Sequence, residues 1–253
     1  INKKFENLFG KEAREFESSS IEQFYMDIAS SIQIIIEEII IRCLKYAKDK
    51  YKLENLCLAG GVALNCVVNG KLLEQNIFKN IWIQPASGDA GGAIGSALAL
   101  WYSNKKNKRL IDKNDSMKGS YLGPSFSNDE IQKILSELNA TYSILNDDDL
   151  ITNTTDVLIK GEAVGWFQGR SEFGPRALGN RSILGDPRSI TMQRDLNLKT
   201  KFRENFRPFA PAVMEEEVKN WFEIDVDSPY MLFVSKLKAN RQIGVDENKL
   251  KGL

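Results

Sequence analysis

An α/β architecture follows from three features of this 253-residue chain. Strand-like and helix-like segments alternate in two successive blocks, a glycine pair separates one strand from the helix after it, and a polar stretch without periodicity lies between the blocks. One to two domains are expected, at ~100–200 residues each. A first domain is expected at residues 1–103, a linker at 104–117 and a second domain at 118–253.

Each element has a local reason. Apolar residues recur at Ile21, Phe24, Tyr25, Ile28, Ile32, Ile35, Ile36, Ile39, Cys43, Leu44 and Ala47, which predicts one long helix to about Tyr51 with a broad buried stripe. That helix is a packing element, or its breadth covers a partner domain. Residues 55–59 form a short buried strand that runs into Gly60 and Gly61, and a helix opens directly after them over 62–75. Strand, glycine turn and helix in that order present backbone N–H groups to an anion or a nucleotide. A strand over 80–84, a small-residue loop over 85–92 and a helix of small residues over 93–101 follow. Asn104 to Ser116 is rich in Lys, Asn and Asp and forms the linker.

In the second block Ser127 caps a helix that reaches about Leu138, with Glu130 three residues on. A helix over 148–159 and a strand over 163–168 lead into an arginine-rich loop. Beyond the loop the pattern predicts a helix over 192–198, a strand over 209–214, a helix over 215–221 and a strand over 231–234. Trp82, Trp101, Trp166 and Trp221 sit in apolar contexts and are expected in the core.

Composition narrows the function classes. With 34 basic and 34 acidic residues the net charge is zero, so no general field draws nucleic acid or anionic lipid. The chain contains no histidine, which excludes histidine general bases and histidine metal ligands within it. Cys43, Cys57 and Cys66 form no CxxC pair and lie in apolar contexts, as reduced core cysteines of a cytoplasmic protein would. The isoleucine run at 34–41 is too short and too charged to span a bilayer, and no signal peptide precedes it. A first residue of Ile rather than Met suggests a piece of a longer chain.

The most informative stretch is Gly169-Arg170-Ser171-Glu172-Phe173-Gly174-Pro175-Arg176-Ala177-Leu178-Gly179-Asn180-Arg181-Ser182, followed by residues 201–209, Lys-Phe-Arg-Glu-Asn-Phe-Arg-Pro-Phe. Arg170, Arg176, Arg181, Arg203 and Arg207 are separated by Gly, Pro, Phe and Leu rather than by acids. Poorly solvated guanidinium groups need acceptors, and Glu172, Asp186 and Glu204 are too few to pair them all. An oxyanion ligand supplies the remainder. The bland alternative for any one arginine is a salt bridge to one of those three acids. For Gly60 and Gly61 it is helix packing on a strand, and for Asp89 a helix N-cap.

These segments carry a resemblance. Leu58-Ala59-Gly60-Gly61-Val62-Ala63-Leu64-Asn65, the run 84–93, Gln-Pro-Ala-Ser-Gly-Asp-Ala-Gly-Gly-Ala, and the arginine loop through Leu184 resemble the O-carbamoyltransferases of the NodU and cephalosporin-carbamoylation family. The match covers most of residues 21–235. It implies an actin-like (ribonuclease-H-like), metal-containing domain that transfers a carbamoyl group, of which the first block is the second half. It also implies a YrdC-like α/β domain, the second block, that makes carbamoyl adenylate from carbamoyl phosphate and ATP. The implied partners are those two anions, Mg²⁺ with ATP, a small-molecule hydroxyl acceptor and an iron-type divalent metal at the transfer site.

By that resemblance Arg170 and Arg203 contact carbamoyl phosphate, and Arg176, Arg181, Lys201 and Arg207 serve the nucleotide phosphates or a supporting shell. Gly60, Gly61 and Asn65 hold the adenylate, and Asp89 ligates the metal. Guanidinium forks suit this chemistry because two polyanions must be brought together. The family's histidine ligands come from a first half of the actin-like domain that this chain lacks, and a later segment adds another arginine. The chain is thus expected to be inactive alone. A catalytically silent nucleotide- or phosphate-binding module is the alternative.

Overall fold

The computed structural model describes residues 3–14, 21–104, 106–111 and 114–244. Among the described residues it is a mixed α/β structure with two small two-stranded sheets. Two compact units divide the chain: Ile1–Asn55 with Lys71–Asn80, and Leu56–Gly70 with Ile81–Leu253. The closing residues of the second block, 245–253, lie outside the described residues.

The first unit is built on helix α2 (Gln23–Tyr51), preceded by the short α1 (Lys3–Phe9). The long helix forms where the periodicity predicts, but its stripe is not uniformly buried. Glu37 is its buried residue, and its carboxylate takes the Lys71 ammonium and the Gln33 amide at 2.8 Å. Those donors, Lys71 first, outweigh desolvation and hold the Glu37 carboxyl below its usual value. Ile32, Ile35, Ile39 and Tyr46, at helical spacing on the opposite face, are 46–65 % exposed.

The second unit carries the functional motifs. Strand β1 (Asn55–Leu58) pairs with β2 (Asn80–Ile83), and the bracketing bonds from Lys79 N–H to Glu54 O and from Gln84 N–H to Leu58 O make the pair parallel. β1 alternates between exposed and half-buried residues instead of being buried throughout. Helix α3 (Cys66–Glu74) joins the two strands. Ala63, Ile83 and Leu232 form the centre of an apolar cluster with Leu58, Leu64, Ile81, Tyr230 and Phe233 around it.

Asn69, 1 % exposed, lies beside this cluster. Its amide donates to Ala63 O at 2.8 Å and to Leu232 O at 3.0 Å, tying α3 to a segment more than 160 residues away in the chain. That segment, 231–234, is not the expected strand. Met231 adopts φ 53°, and Val234 donates to Cys66 O on the helix, so no partner strand is engaged. A Cβ on Gly70 would lie 2.0 Å from Val234 O, so only glycine permits this approach.

Helix α4 (Asp89–Ala99) starts at Asp89, four residues before the expected start, and ends in a π turn over Leu100–Asn104. Helix α5 (Asn128–Glu137) begins at the expected capping box: Ser127 Oγ accepts from Glu130 N–H, and the Glu130 carboxylate accepts from Ser127 N–H at 2.7 Å. Helix α6 (Asp147–Ile159) is capped by Asn146. Strand β3 (Val164–Phe167) pairs antiparallel with β4 (Arg181–Leu184), a strand that the sequence reading leaves inside the arginine loop. Helices α7 (Met192–Asp195) and α8 (Glu215–Trp221) form as expected, the first continuing as a π turn to Thr200. The strand expected over 209–214 is absent; Pro211 removes a donor within it and Pro208 another just before it.

Two core expectations are corrected. Trp82, Trp101 and Trp221 are 48, 55 and 40 % exposed and Trp166 on β3 is half-buried: Trp82 stands on a two-stranded sheet with one open face, Trp101 lies in the π turn after α4, and Trp221 lies beneath the Arg241 guanidinium at 4.7 Å. Cys43 and Cys57 are exposed and Cys66 is half-buried, all three with free thiols.

Candidate functional site

The arginine loop is the excursion between β3 and β4, in register so that Phe167 faces Arg181 across the pair. Glu172 organises it. One carboxylate oxygen accepts the backbone N–H groups of Leu178, Asn180 and Arg181 at 2.7, 2.9 and 3.2 Å. Partial burial pushes this carboxyl up, but those backbone donors outweigh it and the group titrates below its usual value.

A second set of bonds fixes the loop from the 120–124 segment. Gly123 donates to Ser171 O and Ser171 donates to Pro124 O, both at 2.9 Å, while Phe173 donates to Ser120 O and the Tyr121 hydroxyl to Leu178 O. The Asn180 amide closes the turn on Arg170 O at 2.7 Å. The loop is therefore held both by Glu172 and by the 120–124 segment, an ordering that a ligand binding there would not have to supply.

The three acids expected to compete for the arginines are distributed differently from that expectation. Glu172 serves the backbone, Asp186 takes Arg188 through both carboxylate oxygens, and only Glu204 pairs with a member of the set, Arg207, at 2.7 Å. The bidentate Arg188 partner pulls the Asp186 pKa down to about 2. Among the described residues Arg170, Arg176, Arg181 and Arg203 make no ion pair.

Their surroundings differ. Arg170 is exposed and makes one long contact to Leu122 O at 3.5 Å. Arg181 stands on β4, stacked over Phe167 at 3.4 Å, and donates to Gln168 O, Gly169 O and Asn180 O; its donors close the hairpin mouth. Arg203 donates through Nε to Asn197 Oδ1 at 2.5 Å and lies over Phe209. Lys201 is exposed, and its backbone N–H donates to Leu196 O.

Asn197 is a residue that sequence reasoning missed. Fully buried, it also donates to Asn205 O at 3.1 Å and Arg207 O at 2.8 Å, so one side chain shapes the turn carrying Arg203 and Arg207. A buried asparagine inside a helical run gives no periodic signal; only the polar residue in an apolar frame, between Leu196 and Leu198, could have marked it.

The glycine turn has a different geometry from the expected strand-to-helix step. Gly60 takes φ 97° and donates to Ser87 O at 2.8 Å, a conformation that favours glycine. Gly61 opens a 3₁₀ turn ending at Leu64, and α3 begins only at Cys66. Asn65 precedes the helix and caps it: its Oδ1 accepts from Val68 N–H at 3.2 Å. Asp89 is the first residue of α4 and exposed, while Gly88 holds the N-cap position. Among the described residues no three His, Cys, Asp or Glu side chains gather around a common point, so Asp89 alone does not make a metal centre.

The arginine loop and the glycine turn meet within the second unit. Arg176 Nη2 donates to Leu64 O at 3.2 Å, and a Cβ on Gly174 would lie 3.3 Å from Ala86 Cβ. A cavity of about 470 Å³ elsewhere in this unit is lined by Trp82, Asp115, Asp227, Tyr230 and Phe233. There the Tyr230 hydroxyl donates to Asp115, whose carboxylate also accepts from Gly119 N–H at 2.8 Å. Burial first, and Asp115 second, raise the Tyr230 phenol. No described helix is long and apolar enough to cross a membrane.

Residues 1–98 match the family model described as carbamoyltransferase N-terminus, and residues 155–248 the one described as carbamoyltransferase C-terminus. The chain is 55% identical over 244 residues to an uncharacterised protein of Synechocystis, covering 96% of this chain and 40% of that one. It is 40% identical over 225 residues to nodulation protein NolO of Bradyrhizobium diazoefficiens, covering 85% and 39%. It is 33% identical over 215 residues to nodulation protein U of Sinorhizobium fredii, covering 84% and 36%. The chain spans about two fifths of the length of these relatives.

Proposed function

We propose, for a chain that belongs to the carbamoyltransferase family and has nodulation proteins of the NodU type among its relatives, that its longer parent makes carbamoyl adenylate and passes the carbamoyl group to a small-molecule hydroxyl. The observation that carries this reading is the ordered arginine loop, whose backbone is held by Glu172 and by the 120–124 segment and whose Arg170 and Arg176 are left without carboxylate partners among the described residues. Carbamoyl phosphate and magnesium-bound ATP are the anions it would gather. Arg170 and Arg203 are assigned to carbamoyl phosphate, with Lys201 and Arg207 toward the nucleotide phosphates. Arg181 joins the supporting shell, because its donors already hold Gln168, Gly169 and Asn180. Fixed cations lower the repulsion between the two substrates without reorganising in the transition state.

In this reading residues 1–103 belong to an actin-like transfer domain and 118–253 to a YrdC-like domain that forms the adenylate. Gly60 and Gly61 present backbone to the adenylate, and Asn65 orients the helix beneath them. Asp89 would give one oxygen to an iron-type divalent ion whose other ligands come from outside this chain. A single carboxylate does not fit that ion by itself, and no step is assigned to it. Transfer is accordingly assigned to the parent protein and not to this chain in isolation.

Mass spectrometry of the parent incubated with ATP and carbamoyl phosphate tests the reading. Carbamoyl adenylate is the expected product. Binding of both anions with no adenylate would instead identify a silent phosphate-binding module.

A further inference from the structure

Two buried polar atoms beside the contact between arginine loop and glycine turn have no hydrogen-bond partner among the described residues: Arg176 Nε and Ser87 Oγ. Each belongs to a residue that is otherwise engaged. Arg176 donates through Nη2 to Leu64 O, the last residue of the 3₁₀ turn, and Ser87 accepts the Gly60 N–H through its carbonyl oxygen. Gly174, two residues before Arg176, packs on Ala86, next to Ser87. All three segments lie in one compact unit. A guanidinium with one donor committed to backbone and a second buried without a protein acceptor has that second donor available for an oxygen from outside the chain, since buried polar groups are almost always paired.

We infer that Arg176 is a bridging residue: through Nη2 it holds the glycine turn, and through Nε it takes an oxygen of the anion bound at the arginine loop. Occupancy of the loop is thereby transmitted to residues 60–65. The inference rests on the functional reading above for the identity of the anion, and adds a positioning role between two segments that the reading assigns to separate steps. The planar fork is what makes this possible. Nε and Nη2 point along one edge of a rigid group, so an acceptor on one fixes the direction of the other. A lysine in the same place offers a single donor group with freely rotating hydrogens and cannot hold two acceptors in a fixed relation.

Hydrogen exchange read by mass spectrometry on this chain, with carbamoyl phosphate as the probe, tests the bridge. Without ligand, the amides of Ala63 and Asn65, which donate to Gly60 O and Val62 O, should exchange roughly tenfold faster in Arg176→Ala than in the wild type, for the loss of about one hydrogen bond. Strand amides of Val164–Phe167 serve as the folding control and should not change. With carbamoyl phosphate at saturation, the wild type should slow exchange over both 168–182 and 60–65, whereas Arg176→Ala should slow it over 168–182 alone and bind roughly tenfold more weakly. Arg176→Lys should restore the ligand-free protection of the turn but not its further slowing by ligand.

Equal protection of 60–65 in the saturated wild type and Arg176→Ala would overturn the bridge, as would unchanged ligand-free exchange at Ala63 and Asn65. A wild type that binds no carbamoyl phosphate removes the functional reading and the ligand-facing role of Nε with it; the ligand-free comparison then decides the Leu64 link by itself.

Discussion

Replacing Glu172 by alanine removes one acceptor from three backbone donors, those of Leu178, Asn180 and Arg181. An abandoned buried donor costs about 1–3 kcal/mol. The loop is half-buried, so water recovers part of each loss, and about 1 kcal/mol per donor gives a destabilisation of about 3 kcal/mol. Glu172→Gln keeps an acceptor oxygen but loses its charge, and about half that cost is expected, because charge-assisted bonds are roughly twice as strong as neutral ones. Urea unfolding followed through the tryptophans measures both. The same carboxylate adds a pH signature. Its folded pKa lies below the unfolded value, so its stabilisation is complete above about pH 4.5 and is lost as the pH falls through the depressed folded value. In Glu172→Gln that part of the acid dependence should disappear. An alanine variant within about 0.5 kcal/mol of wild type, the scatter of an ordinary surface substitution, would show that Glu172 does not hold the loop.

Other substitutions probe neighbouring parts. Asn197→Leu strands Asn205 O, Arg207 O and the Arg203 Nε–H, so it should cost about 2–4 kcal/mol in urea and weaken anion binding more than stability alone explains. Gly60→Ala should destabilise by about 1–2 kcal/mol because its φ of 97° is costly for any residue with a Cβ, while Gly61→Ala, outside that region and with nothing within 4 Å of its added carbon, should be near neutral. Asn65→Ala should cost about 1 kcal/mol of thermal stability as the loss of a helix cap, and adenylate affinity that falls far beyond this would return Asn65 to the ligand.

The long helix, the Ser127 capping box, α6, β3 and α8 were legible because each rests on local rules: 3.6-residue periodicity, side-chain capping and a bounded apolar run. The failures share a cause in tertiary pairing. Strand β4 is hidden in a glycine- and arginine-rich run because only its register with β3 identifies it. Residues 231–234 read as a strand but pack against α3 through Asn69 and Gly70. The arginine cluster was visible as a composition, yet its division of labour was not. Which acid pairs with which cation depends on loop geometry, and Glu172 turned to backbone while Asp186 chose Arg188. The meeting of Arg176 with Leu64, 112 residues away, has no sequence signature at all.

The central claim is that Arg170 of the arginine loop and Arg203 of the turn held by Asn197, both without a carboxylate partner among the described residues, hold a small phosphorylated anion. Calorimetric titration of carbamoyl phosphate into the wild type, Arg170→Ala and Arg203→Ala measures it directly. The account predicts saturable binding that weakens by about 1.5–3 kcal/mol in each variant, the range for hydrogen bonds to charged groups, and that weakens further with added salt. Affinity unchanged in both variants, with folding intact, would contradict it.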